Sequence, residues 1–172
     1  QAAGVHTALD TCGMVSQSQF DKALPFADLV LFDLKVMDTQ AHQSHTGQHN
    51  ETILRNPLYV RDAIRSAGGS KKMWIRTPLI PDATDLPDNL AAIGSFLAAE
   101  LDGSVERWEL CAFNNLCRDK YRRLGLQWQY EETQLYTQSA LDQRYEWALA
   151  SPFPPEKIIV SGATRVKLEI GG

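Results

Sequence analysis

Four short apolar runs, separated by helix-like segments, constrain the fold of this chain more than any other feature. The runs cover residues 5–9, 29–32, 73–75 and 105–113. Each is nearly continuous and lacks strict alternation, which is typical of strands in a parallel sheet covered on both faces. Their alternation with helices predicts right-handed crossovers and a parallel α/β sheet, belonging either to a barrel or to a doubly wound fold.

Cap and breaker residues predict where the intervening helices begin and end. N-caps are expected at Ser16, at Asn56 with Pro57 as the first helical residue, and at Asp85. Pro25 ends the first of these helices, and the pair Gly68 and Gly69 ends the second. Residues 139–150 have apolar side chains at helical spacing, and residues 158–160 fit a terminal strand.

Length and composition indicate one ordinary globular domain over residues 1–172. The chain is 44% apolar and 22% charged, and it is long enough to bury a core without a disulfide or a structural metal. Its net charge of −4 argues against binding to nucleic acid or to an anionic membrane surface, since both require clustered basic residues. With no apolar run near the roughly 20 residues of a membrane helix and no signal-peptide pattern, we expect a cytoplasmic protein.

The cysteines Cys12, Cys111 and Cys117 are odd in number and widely spaced. This favours reduced thiols in a reducing compartment over a disulfide framework. They form no CxxC or CxxxCxxC pattern, so we expect no iron–sulfur ligands in this chain. The opening residues 1–4 have the pattern of a helix end stopped by glycine, which predicts a fragment with a missing upstream part.

Polar side chains follow the apolar runs, and in parallel α/β folds the ligand site lies at the carboxyl ends of the strands. The residues concerned are Asp10, Thr11, Asp33, Lys35, Arg76 and Asn114. If the strands are neighbours, these side chains meet at one rim. Two carboxylates, an ammonium and a guanidinium suit a zwitterionic ligand, and the two acids also suit a hard cation. The alternative is that they are only helix caps and solvated loop ends.

Three histidines offer a competing hypothesis. His42, His45 and His49 are spaced so that one helix face would carry all three and bind zinc. Thr46 and Gly47 interrupt the segment, however, so the helical geometry is expected to fail. Exposed loop histidines are the favoured interpretation.

Ordered motifs along residues 4–126 resemble those of the glycyl-radical-enzyme activases, a group of radical S-adenosylmethionine enzymes. The matching segments are HTxLDTxG at 6–13, DLVLxDLK at 28–35, DxxxHxxxTGxxN at 38–50, WIRxPxIP at 74–81, and an ELLPYHxxGxxKYxxLG-like segment at 109–125. The resemblance implies a partial TIM-like (β/α)₆ barrel, of which this chain would hold about four parallel strands.

The resemblance also implies a function and a set of partners. An intact relative uses S-adenosylmethionine and a [4Fe–4S] cluster to generate a glycyl radical on a partner enzyme, and takes electrons from a donor such as flavodoxin or ferredoxin. The family's CxxxCxxC loop, which ligates the cluster, has no counterpart in this sequence. The resemblance therefore implies a C-terminal fragment that is catalytically incomplete by itself.

The resemblance also implies roles for individual residues, carried over from the family motifs to the matching positions of this sequence. The residues implied to bind S-adenosylmethionine are Asp33, Leu34, Lys35, Arg76 and Asn114. Those implied to hold a monovalent cation beside its carboxylate are Asp10, Thr11 and Asp33.

Three positions depart from the family pattern. Asn114 replaces a histidine found in pyruvate formate-lyase activases, Ala112 replaces the usual proline, and Asp82 stands where glycine is frequent. These departures favour an activase for a different glycyl-radical enzyme.

Two other functions remain open at the level of sequence. The chain could be a stand-alone α/β domain that binds or senses a small molecule without cluster chemistry. It could also be a TIM-barrel lyase that uses Lys35 as a Schiff base, although a lysine beside Asp33 is expected to stay protonated. The presence or absence of CxxxCxxC upstream distinguishes the first alternative from an activase.

Overall fold

A computed structural model describes residues 4–164 and contains one sheet of five parallel strands. The strands are β1 (Ala8–Thr11), β2 (Leu29–Asp33), β3 (Lys72–Leu79), β4 (Val105–Ala112) and β5 (Ile158–Ser161). The parallel α/β class is confirmed, and the terminal strand expected near residue 158 makes the fifth. The first strand begins at Ala8, three residues later than the apolar run. The helix end expected at residues 1–4 falls largely outside the described residues.

Six α-helices connect the strands within residues 4–164. They are α1 (Gln17–Ala23), α2 (Thr39–Thr46), α3 (Glu51–Ser66), α4 (Pro87–Glu100), α5 (Cys117–Arg123) and α6 (Gln138–Leu149). Short 3₁₀ turns at Leu24–Phe26 and Pro155–Lys157 precede β2 and β5. None of these helices combines the length and apolar character needed to cross a membrane.

The strand order decides between a barrel and a doubly wound sheet. The strands lie side by side in chain order, β1 to β5, with no reversal. Right-handed crossovers then place the connecting helices on one face, whereas a doubly wound sheet reverses its order to cover both. The sheet is therefore an arc of a barrel, with a helix face and an inner face. Strand β1 lies at one edge of this arc.

Burial along the strands agrees with this arrangement. In β3, alternate side chains from Met73 to Leu79 are buried on the helix face, and those between them are half-buried on the inner face. Strand β4 shows the same alternation beyond its first residues. The expectation of a sheet covered equally on both faces is therefore wrong for residues 4–164. Polar residues such as Arg76 and Glu109 are tolerated because the inner face stays accessible.

The hydrophobic core lies between the sheet and the helices. Phe32, Ile75 and Trp108 from three strands meet Leu97 of α4 there, and all four are fully buried. The indole Nε1 of Trp108 donates a hydrogen bond to the Thr77 hydroxyl over 3.0 Å, so its polar group is satisfied.

Two of the predicted helix starts are wrong. Helix α3 begins at Glu51, with Pro57 inside it, and Asn56 is fully buried. The Asn56 side chain instead donates to the carbonyls of Gly13 and Val15. Helix α4 has Leu86 as its N-cap, and the predicted cap Asp85 has other partners. Ser16 does occupy the N-cap position of α1.

The segment between β4 and α6 is organised by aromatic packing. Trp128 stacks on Phe113 and on Tyr121, with ring centroids 6.0 and 5.8 Å apart. Tyr130 packs edge-on against both Phe113 and Trp128. The rings thereby hold α5 and the irregular residues 124–137 against the end of β4.

Candidate functional site

A chain of four ion-paired side chains lies on the inner face of the sheet. The Arg76 guanidinium donates to Asp33 Oδ1 from Nη2 over 2.8 Å and from Nε over 3.0 Å, and to Asp10 Oδ1 over 2.5 Å. The Lys35 ammonium is 3.0 Å from the other oxygen of Asp33. These four residues, Asp10, Arg76, Asp33 and Lys35, are the ion-pair chain. All were predicted from the polar ends of the apolar runs.

Strand register brings these residues together from three strands. Asp33 is the last residue of β2 and lies opposite Arg76 of β3, while Asp10 of β1 lies opposite Leu31. Side chains two apart on a strand share a face, so Asp10, Asp33 and Arg76 all point to the inner side. Arg76 is in the middle of β3, three residues before its end. It reaches the others because barrel strands are staggered relative to one another.

The electrostatics keep the guanidinium charged. Partial burial on its own would lower the pKa of Arg76, but the negative charges of Asp33 and Asp10 outweigh that effect and raise it above its usual value. Arg76 and Asp33 expose only 23% and 22% of their side chains, whereas Asp10 exposes 60%. The Arg76–Asp33 pair is thus the more buried part of the site, and Asp10 is its solvent-exposed residue.

Of the two cations in the ion-pair chain, Lys35 is the more available to a ligand. Its side chain is 30% exposed, and its ammonium uses one of its three donors on Asp33. Leu34, between them in sequence, has a fully buried side chain. Its amide donates to the Arg76 carbonyl, and its carbonyl accepts from the Thr77 hydroxyl. Leu34 therefore anchors the strand end in the core, and any part it plays toward a ligand is through its backbone.

Two asparagines that were not predicted as site residues hold the loop after β2. Asn50 Nδ2 donates to the carbonyls of Val36 and Met37, over 3.0 and 2.9 Å. Asn89 of α4 donates to the carbonyl of Lys35 and accepts from the amide of Met37. The sequence offered a signal for Asn50, which closes a recognised motif. It offered none for Asn89, whose partners in this loop lie more than fifty residues earlier.

Thr11 and Asn114 make local contacts instead of joining the ion-pair chain. The Thr11 hydroxyl accepts a hydrogen bond from the Gly13 amide over 3.0 Å. Asn114 is exposed after β4, where its side-chain oxygen accepts from the Leu116 amide. Within residues 4–164, neither hydrogen-bonds to the four ion-paired residues.

The histidines do not come together. Helix α2 ends at Thr46 with Gly47 in the left-handed conformation, so His42 and His45 are helical and His49 lies beyond the helix. His42 is buried, contrary to the expected exposed loop, and its Nδ1 lies 2.7 Å from the Gln48 carbonyl oxygen. It closes the end of α2. Among the described residues, no group of three or more histidines, cysteines and acids is placed to hold a metal.

The donor groups fit S-adenosylmethionine better than a cluster. Lys35 offers free ammonium donors, and Asp10 offers a carboxylate oxygen that has no hydrogen-bond donor within residues 4–164. An iron–sulfur cluster, by contrast, requires thiolates. Burial and the charge of Glu109 raise the pKa of the Cys111 thiol to about 11, while Cys12 and Cys117 are exposed elsewhere. The three cysteines do not fit a cluster.

Comparisons with known proteins find activating enzymes among the relatives of this chain. The chain is 31% identical over 134 residues to a pyruvate formate-lyase-activating enzyme of Streptococcus mutans, covering 74% of this chain and 48% of that protein. It is 37% identical over 123 residues to an isethionate sulfite-lyase activating enzyme of Oleidesulfovibrio alaskensis, covering 72% and 37%. The chain thus spans half or less of the length of these relatives. No family model matches it.

A solved structure shares the fold. A domain of a pyruvate-formate lyase-activating enzyme from Bacteroides vulgatus superposes with a TM-score of 0.68 at 23% identity, covering 94% of this chain and 84% of that one. The structural likeness shows the shared fold, and the sequence relationship shows the group of proteins. This chain is a homologue of part of the activating enzymes that serve glycyl-radical enzymes.

Proposed function

We propose that this chain forms the S-adenosylmethionine-binding arc of an activating enzyme for a glycyl-radical enzyme. The observation that carries the proposal is the partly exposed Lys35 ammonium, held by Asp33 at the end of β2 and backed by the Arg76 pair. This arrangement offers one fixed cation to a ligand carboxylate. The sequence relationship to activating enzymes supports the same conclusion.

Lys35 would bind the carboxylate of the methionine moiety. At about 4 Å and an effective dielectric constant near 20, this attraction is on the order of 4 kcal/mol before desolvation. Asp33 keeps the ammonium in place, and Arg76 in turn neutralises Asp33 and Asp10. The free oxygen of Asp10, with the Thr11 hydroxyl and Asp33, would hold a monovalent cation beside the ligand carboxylate.

Asn114 would meet the adenosyl part of the ligand at the end of β4. Its exposed amide can donate and accept hydrogen bonds but does not titrate near neutral pH. S-adenosylmethionine, bound with a reduced [4Fe–4S] cluster, would supply the radical chemistry that oxidises a glycine of the partner. The cluster ligands belong to a part of the full protein outside this chain, because the cysteines here do not fit them.

The proposal extends to partners and location. The whole protein would act in the cytoplasm on a glycyl-radical enzyme and would receive electrons from a donor such as flavodoxin or ferredoxin. The names of the relatives, each an activating enzyme of another enzyme, support a protein partner. The 172-residue chain alone would be inactive.

Calorimetry with S-adenosylmethionine tests the proposed site. The 172-residue chain should bind at best with millimolar affinity, because several directional contacts of about 1–3 kcal/mol each come from elsewhere in the full protein. The full-length, cluster-loaded protein should bind much more tightly, and Lys35→Ala should weaken that binding about tenfold or more. Lys22→Ala, which removes an exposed lysine of α1, is the matched control.

Two results would show that the site is misplaced. One is micromolar binding by the 172-residue chain alone. The other is a full-length Lys35→Ala protein that binds like the wild type.

A further inference from the structure

The loop that follows β2 carries Lys35, and side chains hold it where sheet hydrogen bonds end. Asn89 Nδ2 lies 2.8 Å from the Lys35 carbonyl oxygen, and Asn89 Oδ1 accepts from the Met37 amide over 2.9 Å. The same Nδ2 donates to the Thr84 carbonyl over 2.8 Å. One amide side chain therefore ties the loop after β2 to the loop after β3.

These contacts restrict the backbone on both sides of Val36. Asn89 fixes the Lys35 carbonyl and the Met37 amide, and Asn50 holds the carbonyls of Val36 and Met37. Lys35 has a long flexible side chain, and among residues 4–164 its ion pair with Asp33 is the one hydrogen-bonding contact that restrains the ammonium. The hydrogen bond from Asn89 to the Lys35 carbonyl fixes the backbone from which this side chain extends.

The chemistry of Asn89 is specific to an amide. Its three partners are two carbonyls, which need donors, and one amide, which needs an acceptor. A carboxylate of the same shape keeps the acceptor and loses both donors. Asn89 is also only partly buried, whereas Asn50 is fully buried, so substitutions at Asn89 are better tolerated by the fold.

We propose that Asn89 is a positioning residue for ligand binding: it fixes the backbone at Lys35 so that the ammonium stands beside Asp33 and meets the ligand carboxylate. The proposal rests on the proposed function, because it assigns the cation of that site to the carboxylate of S-adenosylmethionine. Asn89 itself is not assigned a contact with the ligand.

A double-mutant cycle in the full-length, cluster-loaded protein tests this role. The probes are S-adenosylmethionine and 5′-methylthioadenosine, which keeps the nucleoside but lacks the carboxylate. Asn89→Ala should weaken S-adenosylmethionine binding about tenfold and change methylthioadenosine binding less than about twofold. Combined with Lys35→Ala, it should add little further loss, because both substitutions remove the same interaction. Asn89→Asp should likewise weaken S-adenosylmethionine binding more than methylthioadenosine binding. It replaces the alanine variant in the cycle if that variant folds poorly.

Ile64→Val is the control for general destabilisation. Ile64 is buried and lines a cavity with Lys72 and Val105 at the opposite ends of the strands, so its truncation should leave both affinities unchanged. The inference is overturned if the Asn89 variants weaken both probes equally, or if their effect adds fully to that of Lys35→Ala. A Lys35→Ala protein with unchanged affinity would instead overturn the proposed function, and the role of Asn89 with it.

Discussion

Gly13, in the loop after β1, is a residue at which a side chain cannot be accommodated. Its φ is +72°, a left-handed conformation, and a Cβ built on it would lie 2.1 Å from Cζ of the Phe32 ring. Phe32 is fully buried, so the ring cannot move aside cheaply. The glycine of the DTxG motif is therefore required by packing beneath the candidate site.

We expect Gly13→Ala to destabilise the chain by about 3 kcal/mol or more, since overpacking adds to the cost of the left-handed backbone. Gly103→Ala is the matched control, because Gly103 has a φ of +70° and a Cβ added there would meet nothing within 4 Å. It should lose only about 1 kcal/mol. Urea denaturation of the two variants measures the difference. Equal losses would show that Phe32 imposes no constraint.

Asp82 departs from the family pattern in the sequence, and the structure shows which backbone conformation this position requires. It stands where the related enzymes often have glycine, and in the structure its φ is 60°, while its amide donates to Asp85. Aspartate is one of the few residues besides glycine that tolerates this conformation. The departure at this position therefore preserves the left-handed turn.

The ion-pair residues were predictable, whereas the residues that support them were not. Asp10, Asp33, Lys35 and Arg76 follow or lie within apolar strands, so strand pairing alone brings them close. Asn89 acts on backbone groups 52 and 54 residues away. Nothing in its local sequence indicates those partners, because they are set by how α4 packs against the loop after β2.

At the scale of elements, a buried carboxylate joins α6 to the loop after β3. Asp85, with only 2% of its side chain exposed, accepts from the Tyr136 hydroxyl over 2.6 Å and from Arg144 Nη2 over 2.8 Å. Its other oxygen accepts from the Asp82 amide. These tertiary contacts are why Asp85, predicted as a helix cap, does not cap α4.

We expect Tyr136→Phe to cost about 1–2 kcal/mol of stability near neutral pH, because Asp85 loses one buried hydrogen bond. Burial, followed by the hydrogen bond to Asp85, raises the pKa of Tyr136 in the folded state. Stability from this group is therefore present below its unfolded pKa of about 10 and is lost as the pH rises through the higher folded value.

The difference between wild type and Tyr136→Phe should consequently narrow above about pH 10. Urea denaturation at pH 8 and near pH 11 measures it. Tyr145→Phe, in α6, removes a hydroxyl that has no hydrogen bond within residues 4–164, and it should change stability little at either pH. A constant gap for Tyr136→Phe would contradict the coupling to Asp85.

The helix boundaries illustrate the limit of local patterns. Both Asn50 and Asn56 have the chemistry of an N-cap, and Asn56 is followed by a proline, the stronger sequence signal. The chain nevertheless begins α3 after Asn50, because Asn56 is needed to hold the carbonyls of Gly13 and Val15. Pro57 is accommodated inside the helix.

At the scale of the whole molecule, we expect the 172-residue chain to bind no [4Fe–4S] cluster stably. Cluster ligands must be thiolates that converge within a few ångströms, and the raised pKa of Cys111 disfavours its thiolate at neutral pH. Anaerobic reconstitution followed by iron and sulfide analysis should give far less than one cluster per chain. Stoichiometric retention that depends on Cys12, Cys111 and Cys117 would contradict this.

The apolar runs predicted the parallel α/β class and left the choice between a barrel and a doubly wound sheet open, whereas the resemblance to the activases implied the partial barrel, which is confirmed. Apolar runs reveal that strands exist, and they do not reveal strand order. Order decides whether helices cover one face or both. The pairing of β1 through β5 in chain order identifies the barrel arc in the structure, and the accessible inner face follows from that order.

The ion-pair chain contains two carboxylates and two cations, so its formal charge is zero. These four residues therefore add no net charge to attract a ligand. Binding would exchange ionic partners. The ligand carboxylate would pair with Lys35, and the carboxylates of the protein would pair with the ligand's ammonium or with a bound cation. The affinity of such a ligand should depend on the spacing of its charges and little on ionic strength, because salt screens the attractive and the repulsive charge–charge interactions alike. The site would consequently recognise its ligand by shape and charge spacing while remaining indifferent to simple anions.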